Sequence, residues 1–114
     1  MIFPKLKGLT SPDLDRPALP ADPCVCSVLV EAEIGKDEEG ADIFSFTVIT
    51  PERLKEEGEA IWGRGRLVVP EFSWELVERQ ITKLLLHAAR ETWEEVAGEL
   101  SKEMHWEFED YRAS

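Results

Sequence analysis

The stretch CVCSVLVEAEIG, Cys24 to Gly35, restricts the possible folds more than any other part of this chain. On an extended backbone its alternation puts Cys24, Cys26, Val28, Val30, Ala32 and Ile34 on one face and Glu31 and Glu33 on the other. Its β-branched residues favour a half-buried strand. The acidic segment KDEEGAD, with Gly40, suits a reversing loop. IFSFTVIT then alternates again, setting Phe44, Phe46 and Val48 opposite Ser45 and Thr47. The pair predicts an antiparallel hairpin with one apolar face, and that face needs a cover.

The cover is encoded in the C-terminal half. From Ser73, a natural N-cap, Trp74, Val77, Ile81, Leu84, Leu85 and Ala88 recur at helical spacing, with Glu75 in the first turn where the macrodipole favours an acid. A second helix starts at Thr92, whose capping box closes with Glu95, and carries Trp93, Val96, Ala97, Leu100 and Met104 on one stripe. The short link predicts an antiparallel pair or one bent unit. Between hairpin and helices, Thr50-Pro51-Glu52 predicts a short helix from Pro51 to Glu57, stopped at Gly58. IWGRGRLVV, Ile61 to Val69, reads as a further strand. Its glycine side, Gly63 and Gly65, permits close approach of a helix, while Trp62, Arg64 and Arg66 share the other face.

Ahead of the hairpin, residues 1–23 carry Pro4, Pro12, Pro17, Pro20 and Pro23, too many for a regular helix or a central strand. They read as an irregular arm with one helical turn around Pro12 to Leu14. Strands come first and helices last, which is the α+β order. The expected architecture is a mostly antiparallel sheet of three or four strands with two C-terminal helices packed on one face, in a single domain spanning 1–114.

Composition narrows the function. Asp and Glu number 24 against 13 Lys and Arg, a net charge of −11 that repels phosphate backbones and attracts basic surfaces. Nucleic acid is an unsuitable ligand for such a chain. No apolar run approaches the roughly 18 residues of a membrane span, and the N-terminus lacks the apolar segment of a signal peptide, so the expected compartment is the cytoplasm, away from membranes. Cys24 and Cys26 have poor geometry for a bridge and too few imidazole partners for a zinc site, and both read as small apolar fillers.

Catalysis needs a nucleophile with its base, a metal cluster, or two carboxylates in different environments. None of these stands out. Ser73 is explained as a cap, His87 and His105 lie near helix ends, and Glu107 with Glu109 reads as a solvated edge, not an acid–base pair. No catalytic residue, cofactor or metal ligand is expected.

Taken in order, LTSPDLD, VEAEI, DIFSFTVITP, GRGRLVV, EFSW, TWEEVAGEL and the closing WEFEDY resemble the immunity protein 8 family. The resemblance extends over nearly the whole chain. It implies an α+β antitoxin, not an enzyme, encoded beside a polymorphic or contact-dependent toxin, whose C-terminal toxin domain it binds and blocks in sister cells. The residues alone also permit an acidic regulatory or adaptor domain that binds another basic protein.

Two surfaces are candidates for the contact. In WEFEDY the rings of Trp106 and Phe108 are expected to anchor the tail and hold Glu107, Glu109 and Asp110 in water as a preorganised acidic edge. The sheet face away from the helices offers Trp62, Arg64 and Arg66, near Glu31 and Glu33, combining residue types that often anchor interfaces with carboxylates that attract a basic partner.

Overall fold

The computed structural model describes residues 1–38, 40–60 and 62–109. Its centre is the predicted hairpin. Strands β2 (Ser27–Gly35) and β3 (Asp42–Ile49) pair antiparallel in an unbroken register from Ser27 opposite Ile49 to Ile34 opposite Asp42. Val28, Val30, Ala32 and Ile34 face the same side as Phe44, Phe46 and Val48, and all seven are buried.

Strand β2 starts at Ser27, later than the alternation implied. Upstream, Asp22 folds the chain into a turn, its side chain accepting from Cys24 N at 3.0 Å and its carbonyl from Val25 N at 3.1 Å. The two thiols are therefore separated in environment: Cys26 is buried, whereas Cys24 is exposed and donates to Glu71 at 3.4 Å. Only Cys26 is a core filler. Both are free thiols.

The proline-rich arm also contains a regular element. Pro4 and Pro12 bracket a proline-free stretch, and β1 (Lys5–Thr10) pairs antiparallel with β2 as an edge strand. Its register shifts between Leu6 and Gly8, which breaks the period-two pattern and hides the strand from a search for alternation. Around Pro12 the chain bends without forming a helical turn, and Ser11 Oγ accepts from Asp13 N instead.

Strand β3 has two neighbours on its other edge. Strand β4 (Arg66–Val68) runs parallel to Thr47–Ile49, and the two-residue β5 (His105–Trp106) runs antiparallel to Phe44–Ser45. Parallel pairing requires a crossover, and helix α1 (Pro51–Glu57) supplies it, ending at Gly58 with φ +66°. Among the described residues the sheet thus has five strands and is mostly antiparallel.

The predicted strand from Ile61 to Val69 shrinks to three residues. Ile61 lies outside the described residues. Gly65 takes φ +81°, leaving the extended region, and a Cβ there would fall 2.3 Å from His105 Nε2. The close approach expected of a helix is made by an imidazole.

Helices α2 (Trp74–Leu86) and α3 (Trp93–Leu100) cover the apolar face of the sheet. Ser73 Oγ caps the first by accepting from Leu76 N at 3.2 Å. Thr92 and Glu95 close the predicted capping box on the second. Trp74, Val77 and Ile81 of α2 and Val96, Ala97 and Leu100 of α3 are buried in one core with the sheet. The arm continues over α2: Ala18 O accepts from Trp74 Nε1 at 2.8 Å, and the Arg16 guanidinium lies 5.5 Å above the Trp74 ring.

Candidate partner-binding surface

The register places the predicted residues on the open sheet face in rows. One row runs from Leu29 through Thr47 to Arg66, and the next from Glu31 through Ser45 to His105, with Glu33 beyond, opposite Ile43. Arg66 therefore shares a face with Glu31 and Glu33, as expected. It does not pair with them, because Glu57 of α1 holds its guanidinium at 3.1 Å. Glu31 and Glu33 are half-buried and have no ion-pair partner among the described residues. The Glu33 carboxylate lies over Gly8, where a Cβ would come 2.3 Å from Oε2.

Apolar side chains interrupt this acidic face. Leu29 is 40 % exposed and Val68 53 %. On the loop entering β4, Trp62 is 95 % exposed, leaving almost the whole indole in water. Its ring offers a large apolar surface and its Nε1–H a hydrogen-bond donor, the combination that suits an interface.

Arg64 behaves differently from its neighbours Trp62 and Arg66. Its Nε donates to Ser101 O at 2.7 Å, and its Nη2 donates to Met104 O at 3.1 Å and to the Glu109 carboxylate at 2.8 and 3.0 Å. It is a clamp that ties the β4 loop to the segment after α3. His105 Nδ1 lies 3.3 Å from the same carboxylate. Burial works to raise the Glu109 carboxyl, but the hydrogen bond and charge of Arg64, reinforced by His105, outweigh it and hold the group below its ordinary value.

The expected acidic edge is thus divided. Glu109 is engaged by Arg64 and does not stand free in water. Glu107 is exposed, and its Oε1 accepts from Ile43 N at 3.1 Å while its own N–H donates to Ile43 O at 3.0 Å. Asp110 and Tyr111 lie outside the described residues. The rings do anchor the segment: Trp106 stacks on Phe44 with centroids 6.4 Å apart, and Phe108 meets Trp106 edge-on at 5.8 Å.

One residue central to this anchoring was missed by the sequence reading. Asp42 Oδ2 accepts from Trp93 Nε1 at 2.7 Å and from Trp106 Nε1 at 2.9 Å, joining β3, α3 and β5 through one carboxylate oxygen. The signal was present in the alternation, since Asp42 has the parity of Phe44, Phe46 and Val48. A carboxylate on the apolar side of a strand demands donors, and indole N–H groups are among the few a core can offer.

No three His, Cys, Asp or Glu side chains among the described residues converge as metal ligands. No helix among them is long and apolar enough to cross a membrane. Cys24, the exposed thiol, is pushed up by its hydrogen bond to Glu71, with desolvation and nearby acids adding to the effect, which disfavours the thiolate.

A sheet covered by two helices on one side and left open on the other places this chain among the small α+β domains. Within that class the chain belongs to the immunity protein 8 family, whose sequence model matches residues 5–111. No curated protein and no solved structure matches it.

Proposed function

We propose that this protein binds and neutralises a cognate bacterial toxin domain encoded nearby, acting in the cytoplasm of cells that carry a polymorphic or contact-dependent toxin. Membership of an immunity-protein family supports a protein toxin as the partner. The observation that carries the surface assignment is the bare indole of Trp62, 95 % exposed where Trp74 is buried and Trp93 and Trp106 are half-buried.

In this reading Trp62 is the anchor, with Leu29 and Val68 extending the apolar contact on the open sheet face. Glu31 and Glu33 meet basic residues of the toxin, and Glu107 adds charge at the neighbouring edge. Arg66 contributes at the rim through its pair with Glu57. Arg64 and Glu109 position the loop and the β5 segment without touching the partner. A dedicated inhibitor of ordinary size requires about 800 Å² from each side.

Co-expression tests the reading. Cells producing the toxin domain encoded beside this chain should survive when the chain is present, and Trp62→Ala should weaken the complex at least tenfold while leaving thermal unfolding unchanged. Equal killing with and without the protein refutes the proposed function for that pair. Rescue with undiminished binding by Trp62→Ala refutes the surface and leaves the function standing.

A further inference from the structure

The helical layer contains a feature that recognition through the open face leaves unexplained. The C-terminal part of α2 and the end of α3 do not close over the sheet, and between them lies a cleft of about 430 Å³. That volume falls in the range of small-ligand sites, roughly 300–1,000 Å³. Ile81, Leu84 and Ala88 form one wall, Leu100 and Met104 the other, and Phe46 and Leu67 lie at the base. The lining is predominantly apolar, and the charged groups gather at the mouth.

Those mouth charges favour one sign. Glu99 is already held by two cations, Lys102 at 2.7 Å and Arg90 at 3.2 Å. The hydrogen bond from Lys102 is the main reason its carboxyl sits below the ordinary range, against the opposing effect of burial. Arg66 is neutralised by Glu57. On the α2 side Lys83 has no ion-pair partner among the described residues and stands one turn before His87. Glu103, the remaining acid, is on the opposite wall. In a chain of net charge −11 this mouth has a local cationic excess.

We propose that the cleft binds a small amphiphilic carboxylate of medium chain length. The apolar body is desolvated between α2 and α3, and the carboxylate stays at the mouth beside Lys83 and His87, away from Glu103. The long Lys83 stem packs along the apolar wall while its ammonium remains in water with the head group. This site lies on the helical side of the sheet and shares only Arg66 with the proposed toxin surface, and its occupancy does not depend on a toxin.

Titration of the ¹⁵N-labelled full chain with octanoate tests the assignment, with octanol and octylammonium as parallel probes. Octanoate should give saturable shifts at the amides of Ala88, Leu100 and Met104 with a Kd of about 0.1–1 mM. Lys83→Glu, at an exposed position that leaves the fold intact, should weaken octanoate by about threefold or more. Ala88→Leu, which fills the cleft, should remove the shifts. Octylammonium should bind more weakly than octanoate to the native chain and more tightly to Lys83→Glu. Absence of saturation into the millimolar range, or an unchanged Kd for Lys83→Glu, overturns the proposal. Octanol binding as tightly as octanoate also overturns it, and assigns the cleft to an uncharged apolar group such as a partner's side chain.

Discussion

Removing the carboxylate of Asp42 should loosen three elements together. Its Oδ2 is the acceptor for both the Trp93 and Trp106 indoles, at 2.7 and 2.9 Å. A hydrogen bond to a charged group contributes about 1.5–3 kcal/mol, so two of them set an upper bound of about 3–6 kcal/mol. Asp42 is half-buried, and water can reach indoles that lose their acceptor, which reduces the expected cost of Asp42→Ala to about 2–4 kcal/mol. For a domain with a total stability of about 5–15 kcal/mol, that is a large fraction. Asp42→Asn retains an oxygen that can accept from both indoles but loses the charge, and should cost about 1 kcal/mol. Urea unfolding followed by tryptophan fluorescence measures both, because the two indoles change environment when the carboxylate goes. A double-mutant cycle with Trp106→Phe isolates the bond, and the double variant should be less destabilised than the sum of the singles by about 1–2 kcal/mol. A loss below about 0.5 kcal/mol in Asp42→Ala, or strict additivity in the cycle, refutes the reasoning.

Arg64→Ala frees Ser101 O, Met104 O and Glu109 together, and should cost about 1–3 kcal/mol in urea unfolding. The Glu109 carboxyl is lowered by folding, so its contribution is present above the ordinary carboxylate pKa of about 4.3 and fades as pH falls through the folded value. The native chain should accordingly lose more stability than Arg64→Ala between neutral pH and that acid window, and parallel pH profiles would contradict the assignment. Gly65→Ala combines a left-handed backbone with a clash at the His105 imidazole, and should lower stability by about 1–3 kcal/mol, with partial recovery in the double variant with His105→Ala. Neutralising Glu31 and Glu33 with Gln should slow association with the toxin domain and flatten its salt dependence, leaving unfolding nearly unchanged; an unaltered salt slope in stopped-flow measurements removes these carboxylates from the interface.

The parts of the fold legible in the sequence are those with a local physical signature. The β2–β3 hairpin follows from period-two burial, and Ser73 and Thr92 mark two helix starts by the donors they satisfy. Glycine at Gly58 likewise locates the end of α1 through its positive φ. What escaped was decided by distant partners. Strand β1 is interrupted by a register shift, and β4 owes its parallel pairing to a crossover that no local pattern announces. Arg64 and Glu109 each looked like a free surface charge, yet they meet across 45 residues of chain. Trp62 was visible as a candidate anchor, but its exposure depends on how the loop into β4 departs from the strand geometry expected of it. The cleft between α2 and α3 had no signature at all, because amphipathic spacing specifies which helix face is apolar and not how far apart two such faces come to rest.

The order in which β3 acquires its neighbours has a consequence for synthesis. Strand β2 precedes β3 and is ready to pair as soon as β3 emerges from the ribosome, but the other edge of β3 is closed by residues 66–68 and then by His105 and Trp106. Throughout that interval the nascent hairpin presents an open edge and the uncovered side chains of Phe44, Phe46 and Val48, a combination that invites intermolecular strand pairing. The edge stays open to such pairing until the last two-residue strand has cleared the exit tunnel. Slowing translation after β3 has left the tunnel should lower soluble yield without altering the protein that does fold.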